Sequence, residues 1–126
     1  MGQREAETRG LQPKERIVAH ARHSQAPGEF NSAPIGAIRK LFDRTGWSAG
    51  DVDLFEINEA FAMVTMLAMQ DLGLDHDKVN VHGGACAQGH PIGSTGSRII
   101  VTLMYALQKY DKQRGVAALC IGGGEA

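Results

Sequence analysis

Two cysteines stand in 126 residues, Cys86 and Cys120. That number excludes a disulfide framework and makes a reducing compartment, the cytoplasm, the expected setting. Charge of one sign is also missing. Thirteen basic against fourteen acidic side chains leave a net charge of −1, which supplies no polyelectrolyte face for nucleic acid. No apolar run approaches the roughly 20 residues that cross a bilayer, so no membrane partner is expected. The opening MGQREAETRG is polar and charged, unlike a secretory leader; residues 1–10 are expected to be disordered or the end of a truncated helix. Proline is scarce, at four residues, so proline-rich low complexity is excluded as well. What remains is a globular composition, 43% hydrophobic and 21% charged, sized for one domain or a piece of a larger one. Glycine is abundant instead. Of the 16 glycines, nine lie from Gly83 to Gly124. Such clustering marks tight backbone beside a site.

The chain alternates. Ile17–Arg22 (IVAHAR) reads as a strand. A turn-rich stretch follows, and Ser32 and Pro34 open a helix with Ile35, Ile38, Leu41 and Phe42 on one face and Gly46 as its stop. Ser48 and Asp51 have capping-box spacing. Val52–Ile57 reads as a strand. Glu59–Leu72, closed by Gly73, reads as a helix apolar on nearly every side, hence buried. Val79–His82 reads as a short strand, 83–96 as a glycine-studded turn region, and Ser97–Tyr110 as a second apolar helix broken by Gly115. Val116–Ile121 (VAALCI) reads as a strand covered on both faces. Four strands alternating with three helices predict a layered α/β fold with crossover connections. Helices so apolar need an outer layer, to be supplied by a second subunit or by further chain.

Three segments carry candidate chemistry: Asn58-Glu59-Ala60-Phe61, Gly89-His90-Pro91-Ile92-Gly93 and Cys120-Ile121-Gly122-Gly123-Gly124. Each falls just past a predicted strand or in the turn before a helix, the edge where open α/β sheets bind ligands. His90, framed by glycine and proline, suits proton transfer or carbonyl polarisation, or else ties down a loop. Cys120 is a small buried hydrophobe, or a thiolate held beside a glycine nest. Asn58 alone reads as a helix cap. Other motifs fail. Gly84–Gly89 has P-loop spacing, but His90 stands where lysine is required. His82, Cys86 and His90 recur every four residues, yet the intervening glycines and Pro91 spoil a shared helical face, so no metal site is expected. No GxGxxG occurs.

Taken together, NEAF (58–61), VNVHGGACAQGHPIGSTGSRI (79–99) and LCIGGG (119–124) resemble the C-terminal domain of the thiolases, the acetyl-CoA acetyltransferase or β-ketothiolase family. APIGAIRKL (33–41) and GWSAGDVDLFE (46–56) are in register with it. The resemblance runs from about Leu11 to Ala126. It implies a thiolase-like layered sheet with helices on both faces, one half of a two-domain fold, with residues 11–126 lacking that domain's first and last strands. It implies acyl transfer by Claisen condensation or thiolysis in fatty acid metabolism, with coenzyme A thioesters as substrates and no separate cofactor. His90 would take the proton of a nucleophilic cysteine and help hold the thioester oxyanion. Cys120 would move a proton at the α-carbon. Asn58 would hold a water of one oxyanion hole, the N–H of Gly122 would serve the other, and Phe61 would lie against substrate. The family's nucleophile belongs to its N-terminal domain, and Cys86 stands where the family has a small or apolar residue. The expectation is therefore a chain inactive alone, partnered by a thiolase N-terminal half or by copies of itself. The alternative is a non-catalytic acyl-CoA-binding or dimerisation module. A condensing enzyme of the ketoacyl-synthase type fits NEAF and CIGGG less well.

Overall fold

A computed structural model describes residues 1–126. Its regular elements are helix α1 (Gln3–Thr8), α2 (Ala33–Thr45), strand β1 (Leu54–Ile57), α3 (Ala62–Leu72), the single turn α4 (Ala85–Gln88), α5 (Thr95–Lys109) and strand β2 (Gly115–Ala118). Short 3₁₀ turns occupy Pro27–Ser32, Ala49–Asp51 and His76–Lys78. β1 and β2 pair in parallel, with Leu54 opposite Gly115 and Ile57 opposite Ala118. The connection between them carries α3, α4 and α5, as a parallel pair requires.

All four residues of β1 are buried, and the pleat divides them between two cores. Phe55 and Ile57 join Ile35, Ile38, Val64, Ala68, Val116 and Ala118 on the face covered by α2 and α3. Leu54 joins Leu103, Ala106 and Leu107 of α5 on the other. Helices therefore cover both faces, as the α/β reading predicts. Gly115 lets α5 approach β2: a Cβ there would lie 2.8 Å from Leu103 side-chain carbons. Trp47, the single tryptophan, lies below the Arg114 guanidinium, 5.2 Å from its ring centroid. It also lines a cavity of about 410 Å³ between residues 15–21, α2, α5 and β2.

α2 begins and ends close to its predicted bounds, and Gly46 stops it in the left-handed conformation at φ 70°. Gly73 does the same for α3 at φ 63°. The Ser48–Asp51 capping box forms, with Asp51 Oδ2 accepting from the Ser48 N–H at 2.8 Å and from its hydroxyl at 2.7 Å. Residues 3–8, expected to be disordered or a helix end, form the short α1.

Several expectations are corrected. Ile17–Arg22 forms no strand. Ile17 and Val18 are exposed, and the first ladder bonds of this segment fall at His23 and Gln25, which pair antiparallel with Ala126 and Gly124. Alternation without a partner does not make a strand. Ser32 does not cap α2; its hydroxyl donates to the Glu29 carbonyl. The strand at 79–82 shrinks to one parallel bridge between Phe55 and Val79. Asn80 turns left-handed at φ 49°, a conformation asparagine tolerates. Its side chain replaces the ladder: Oδ1 accepts from the Ile57 N–H at 2.8 Å and Nδ2 donates to the Ile57 carbonyl at 2.9 Å. The region 83–96 is not all turn, since it contains α4. α5 ends at Lys109, before Gly115, and the chain reverses at Asp111, φ 53°. α3 starts at Ala62 rather than Glu59 and is buried only through Val64, Thr65 and Ala68. Phe61, Met63 and Met66 are exposed. That uncovered face is where the apolar sequence anticipated a further layer.

Candidate active site

β1 and β2 run side by side in one direction, so their C-terminal ends open on the same edge. Asn58 follows β1 directly. Its N–H donates to the Ala118 carbonyl at 2.9 Å, which extends the ladder by one bond and fixes the residue beside Leu119. Asn58 is 1% exposed. It does not cap α3, whose N-cap is Phe61, so the helix-cap reading is removed. The amide oxygen accepts from Arg98 at 3.3 Å, while the buried Nδ2 has no partner.

Cys120 lies two residues beyond the end of β2. It is 7% exposed and belongs to the core that α2 and α3 cover. Burial pushes its thiol pKa above the ordinary value. Of the two readings of Cys120, burial therefore favours the neutral thiol over a resting thiolate. Gly122–Gly124 form a turn closed by the Ile121 N–H on the Glu125 carbonyl at 2.7 Å. The Gly122 N–H donates to no acceptor of the chain. Gly124 holds φ 86°, and a Cβ there would strike the Gln25 carbonyl oxygen.

His90 sits between Gly89, at φ 91°, and Pro91. Its Nδ1 is 2.7 Å from the Thr95 hydroxyl, and that hydroxyl is 3.1 Å from the Pro91 carbonyl. Thr95 is completely buried in the first turn of α5. A threonine hydroxyl has one proton to give. With that proton on the Pro91 carbonyl, Nδ1–H donates to Thr95 and Nε2 keeps a free lone pair, the state a general base needs.

Asn58 and Cys120 are thus brought to one sheet edge. No hydrogen bond joins His90 to either. α5 provides the link. Thr95 and Arg98 are three apart on it, hence on one face; Thr95 holds His90 and Arg98 holds Asn58. Arg98 also donates to Gln88 Oε1 at 3.4 Å and lies 3.9 Å from Glu56 Oε2. Glu56 is 2% exposed. Burial pushes its carboxyl up to about 7, against the pull of Arg98 and with some help from Glu59. Phe61 is exposed and meets Phe30 edge-on at 6.1 Å.

Glu56, Arg98 and Thr95 escaped the reading of the sequence, and Glu59, though inside a singled-out segment, had no role there. Glu59 fastens the turn after β1 to the glycine region: its carboxylate accepts from the Cys86 N–H at 2.9 Å and from Asn80 Nδ2 at 3.3 Å. Gly84 leaves room for it, since a Cβ there would push that carboxylate out of its place. The available signal was one charged residue, Glu56, inside an otherwise apolar strand end, which demands a partner when buried. Cys86 is exposed, and Glu59 pushes its thiol pKa up, the opposite of an activated nucleophile. The cavity of about 410 Å³ is lined by none of His90, Asn58 and Cys120.

Comparison with known proteins places this geometry. The family model for the thiolase C-terminal domain matches residues 11–126. The cytosolic acetyl-CoA acetyltransferase of Mus musculus is 51% identical over 124 residues, 98% of this chain and 31% of the mouse protein. The acetyl-CoA acetyltransferase of Allochromatium vinosum is 48% identical over 99% of this chain and 32% of its own length. Among solved structures, the Bacillus anthracis acetyl-CoA acetyltransferase superposes with TM-score 0.95 at 43% identity, covering 99% of this chain and 32% of that one. The Ascaris suum Acat5 thiolase, solved in complex with coenzyme A, gives 0.93 at 39% identity over 98% and 32%. The 126 residues thus span about a third of the length of these relatives. The chain belongs to the thiolase family and corresponds to its C-terminal domain.

Proposed function

We propose that this chain supplies the acid/base half of an acetyl-CoA acetyltransferase site. Its substrates are coenzyme A thioesters, and the chemistry asks for no further cofactor. Condensation must create a carbanion beside a thioester, so it needs a base at carbon and donors at the developing enolate oxygen. Cys120 moves the α-proton. As base its thiolate takes that proton, the resulting carbanion attacks the acyl-enzyme carbonyl, a carbon–carbon bond forms and the enzyme's cysteine leaves. In thiolysis the neutral thiol returns the proton. The raised pKa of Cys120 favours that neutral acid at rest and makes the ionised form a stronger base. His90 takes the proton of the nucleophilic cysteine through Nε2 and helps hold the thioester oxyanion. Asn58 holds a water for one oxyanion through its free Nδ2, and the unbonded Gly122 N–H serves the other. Phe61 lies against the acyl-CoA. A cytoplasmic setting accords with the two free thiols and with the cytosolic label of the mouse relative.

The observation that carries this reading is the exit of Asn58 and Cys120 from adjacent parallel strands onto one edge. The test is turnover. The purified chain, given acetoacetyl-CoA and coenzyme A, is expected to release no acetyl-CoA, because neither of its thiols is an activated nucleophile. Combined with a thiolase N-terminal domain it is expected to become active, and His90→Ala or Cys120→Ala to abolish that activity. Thiolysis by the chain alone that disappears with Cys120→Ala overturns this division of labour. A second reading, a binding or packing module, is favoured by the uncovered Phe61, Met63 and Met66. Calorimetric binding of acetyl-CoA with no turnover in the combined sample selects it.

A further inference from the structure

We propose that Arg98, seated by Glu56, is a positioning residue that sets which way the Asn58 amide points. The proposal rests on the reading of Asn58 as an oxyanion-hole residue. A primary amide presents an acceptor on one side and donors on the other, and rotation by half a turn exchanges them. An asparagine meant to donate must be prevented from turning its oxygen into the site. Arg98 does this by chemistry rather than by shape. A guanidinium carries donors only, so the group facing it has to be Oδ1, which sits 3.3 Å from the Arg98 nitrogen. Nδ2 is then directed away, buried and without a partner in the chain, and is left to bind a water or an oxyanion.

Arg98 needs anchoring of its own. Gln88 accepts from it at 3.4 Å and Glu56 faces it at 3.9 Å. Glu56 Oε1 and Arg98 Nε remain buried without partners. A pair this loose and this dry is poor value as a stabiliser, since apolar residues of equal volume serve a core as well or better. Its yield is orientation at Asn58. The charged groups facing Glu56 are Arg98 from α5 and Glu59 from the turn after β1.

The side-chain amide signals of a ¹⁵N-labelled sample come from three asparagines, Asn31, Asn58 and Asn80, and seven glutamines, and the pair that disappears in Asn58→Ser identifies Asn58. That pair is expected to titrate with a midpoint near the Glu56 value of about 7. Glu56→Gln, which keeps the shape, is expected to abolish the titration. Arg98→Met is expected to release the amide and move the Asn58 pair to the shifts of a free side chain, with the Asn80 pair unchanged. An Asn58 pair indifferent to Arg98→Met, or one that still titrates in Glu56→Gln, overturns the proposal; the glutamine variant decides it alone if the methionine variant does not fold. Acetyl-CoA added to the unsubstituted chain tests the parent reading separately. An Asn58 pair that ignores acetyl-CoA yet follows Arg98 refutes the oxyanion role and leaves the positioning intact.

Discussion

Thr95 commits one hydroxyl proton between His90 and the Pro91 carbonyl, and that choice sets the tautomer of the imidazole. Thr95→Val keeps the volume and removes the bridge. Pro91 retains donors from the Ser94 and Thr95 N–H groups at 2.8 and 3.0 Å, so the expected stability loss is small, about 1 kcal/mol. Imidazole ¹⁵N shifts are expected to show the proton moving toward Nε2, and Thr95→Ser to retain the native tautomer. Unaltered shifts in the valine variant would show that Thr95 does not set it. At this scale His90 and Cys120 stand out in the sequence because glycine or proline punctuates the chain beside them, and Asn58 because it follows a strand directly. Thr95 and Arg98 do not. Both look like ordinary helix residues until the 89–94 turn folds back on α5, and nothing local to either announces that return. The protonation of Cys120 stayed open for a similar reason: three glycines follow it from Gly122 in sequence, but its neighbours in space are the apolar side chains of the α2–α3 core.

Between elements, the contact of α5 with β2 turns on one missing methyl group. Gly115 accepts the Leu103 side chain where a Cβ would stand 2.8 Å away. Its backbone is not left-handed, so Gly115→Ala adds crowding without backbone strain. The substitution is expected to cost about 1–3 kcal/mol as α5 is pushed off the sheet, read as a lower urea midpoint. An unchanged midpoint would mean that Leu103 rotates aside freely. Helices α2, α3 and α5 were foreseeable near their observed positions, because apolar periodicity and the stops Gly46 and Gly73 are encoded locally. Strands are not local objects. Ile17–Arg22 has the alternation and lacks a ladder, and Val79–His82 gives way after one bridge because the Asn80 side chain takes over the edge of Ile57.

For the molecule as a whole, Glu56 links stability to pH. Its carboxyl titrates near 7 in the fold against 4.5 ordinarily, so folding takes up a proton between those values. The contribution is full below about pH 4.5 and is lost as pH rises through about 7. The loss is on the order of 2 kcal/mol once relaxation around the pair is allowed for. Urea midpoints are expected to be higher at about pH 5 than at about pH 8, and Glu56→Gln to flatten that difference. A second property of the whole is its uncovered surface. Phe61, Met63 and Met66 on one side, and Ile100, Val101 and Tyr105 of α5, are all about half exposed or more. Sedimentation is expected to show association growing with concentration, and Met66→Lys to reduce it; a monomer at all concentrations would refute this. The α/β layering was readable from the alternation of elements, and the uncovered faces from helices too apolar for their number. Which face stays bare was not readable, since that depends on how each helix is rotated about its own axis. No helix is long and apolar enough to cross a membrane.

Trp47 gives the fold a built-in lamp. It is the lone indole, flanked by a guanidinium from the far end of the chain and lining a groove that residues 15–21, α2, α5 and β2 wall together. Its emission colour therefore reports whether those three elements are still assembled, without any dye or label. A red shift would signal their separation, and a blue shift would register an apolar molecule that slips into the groove.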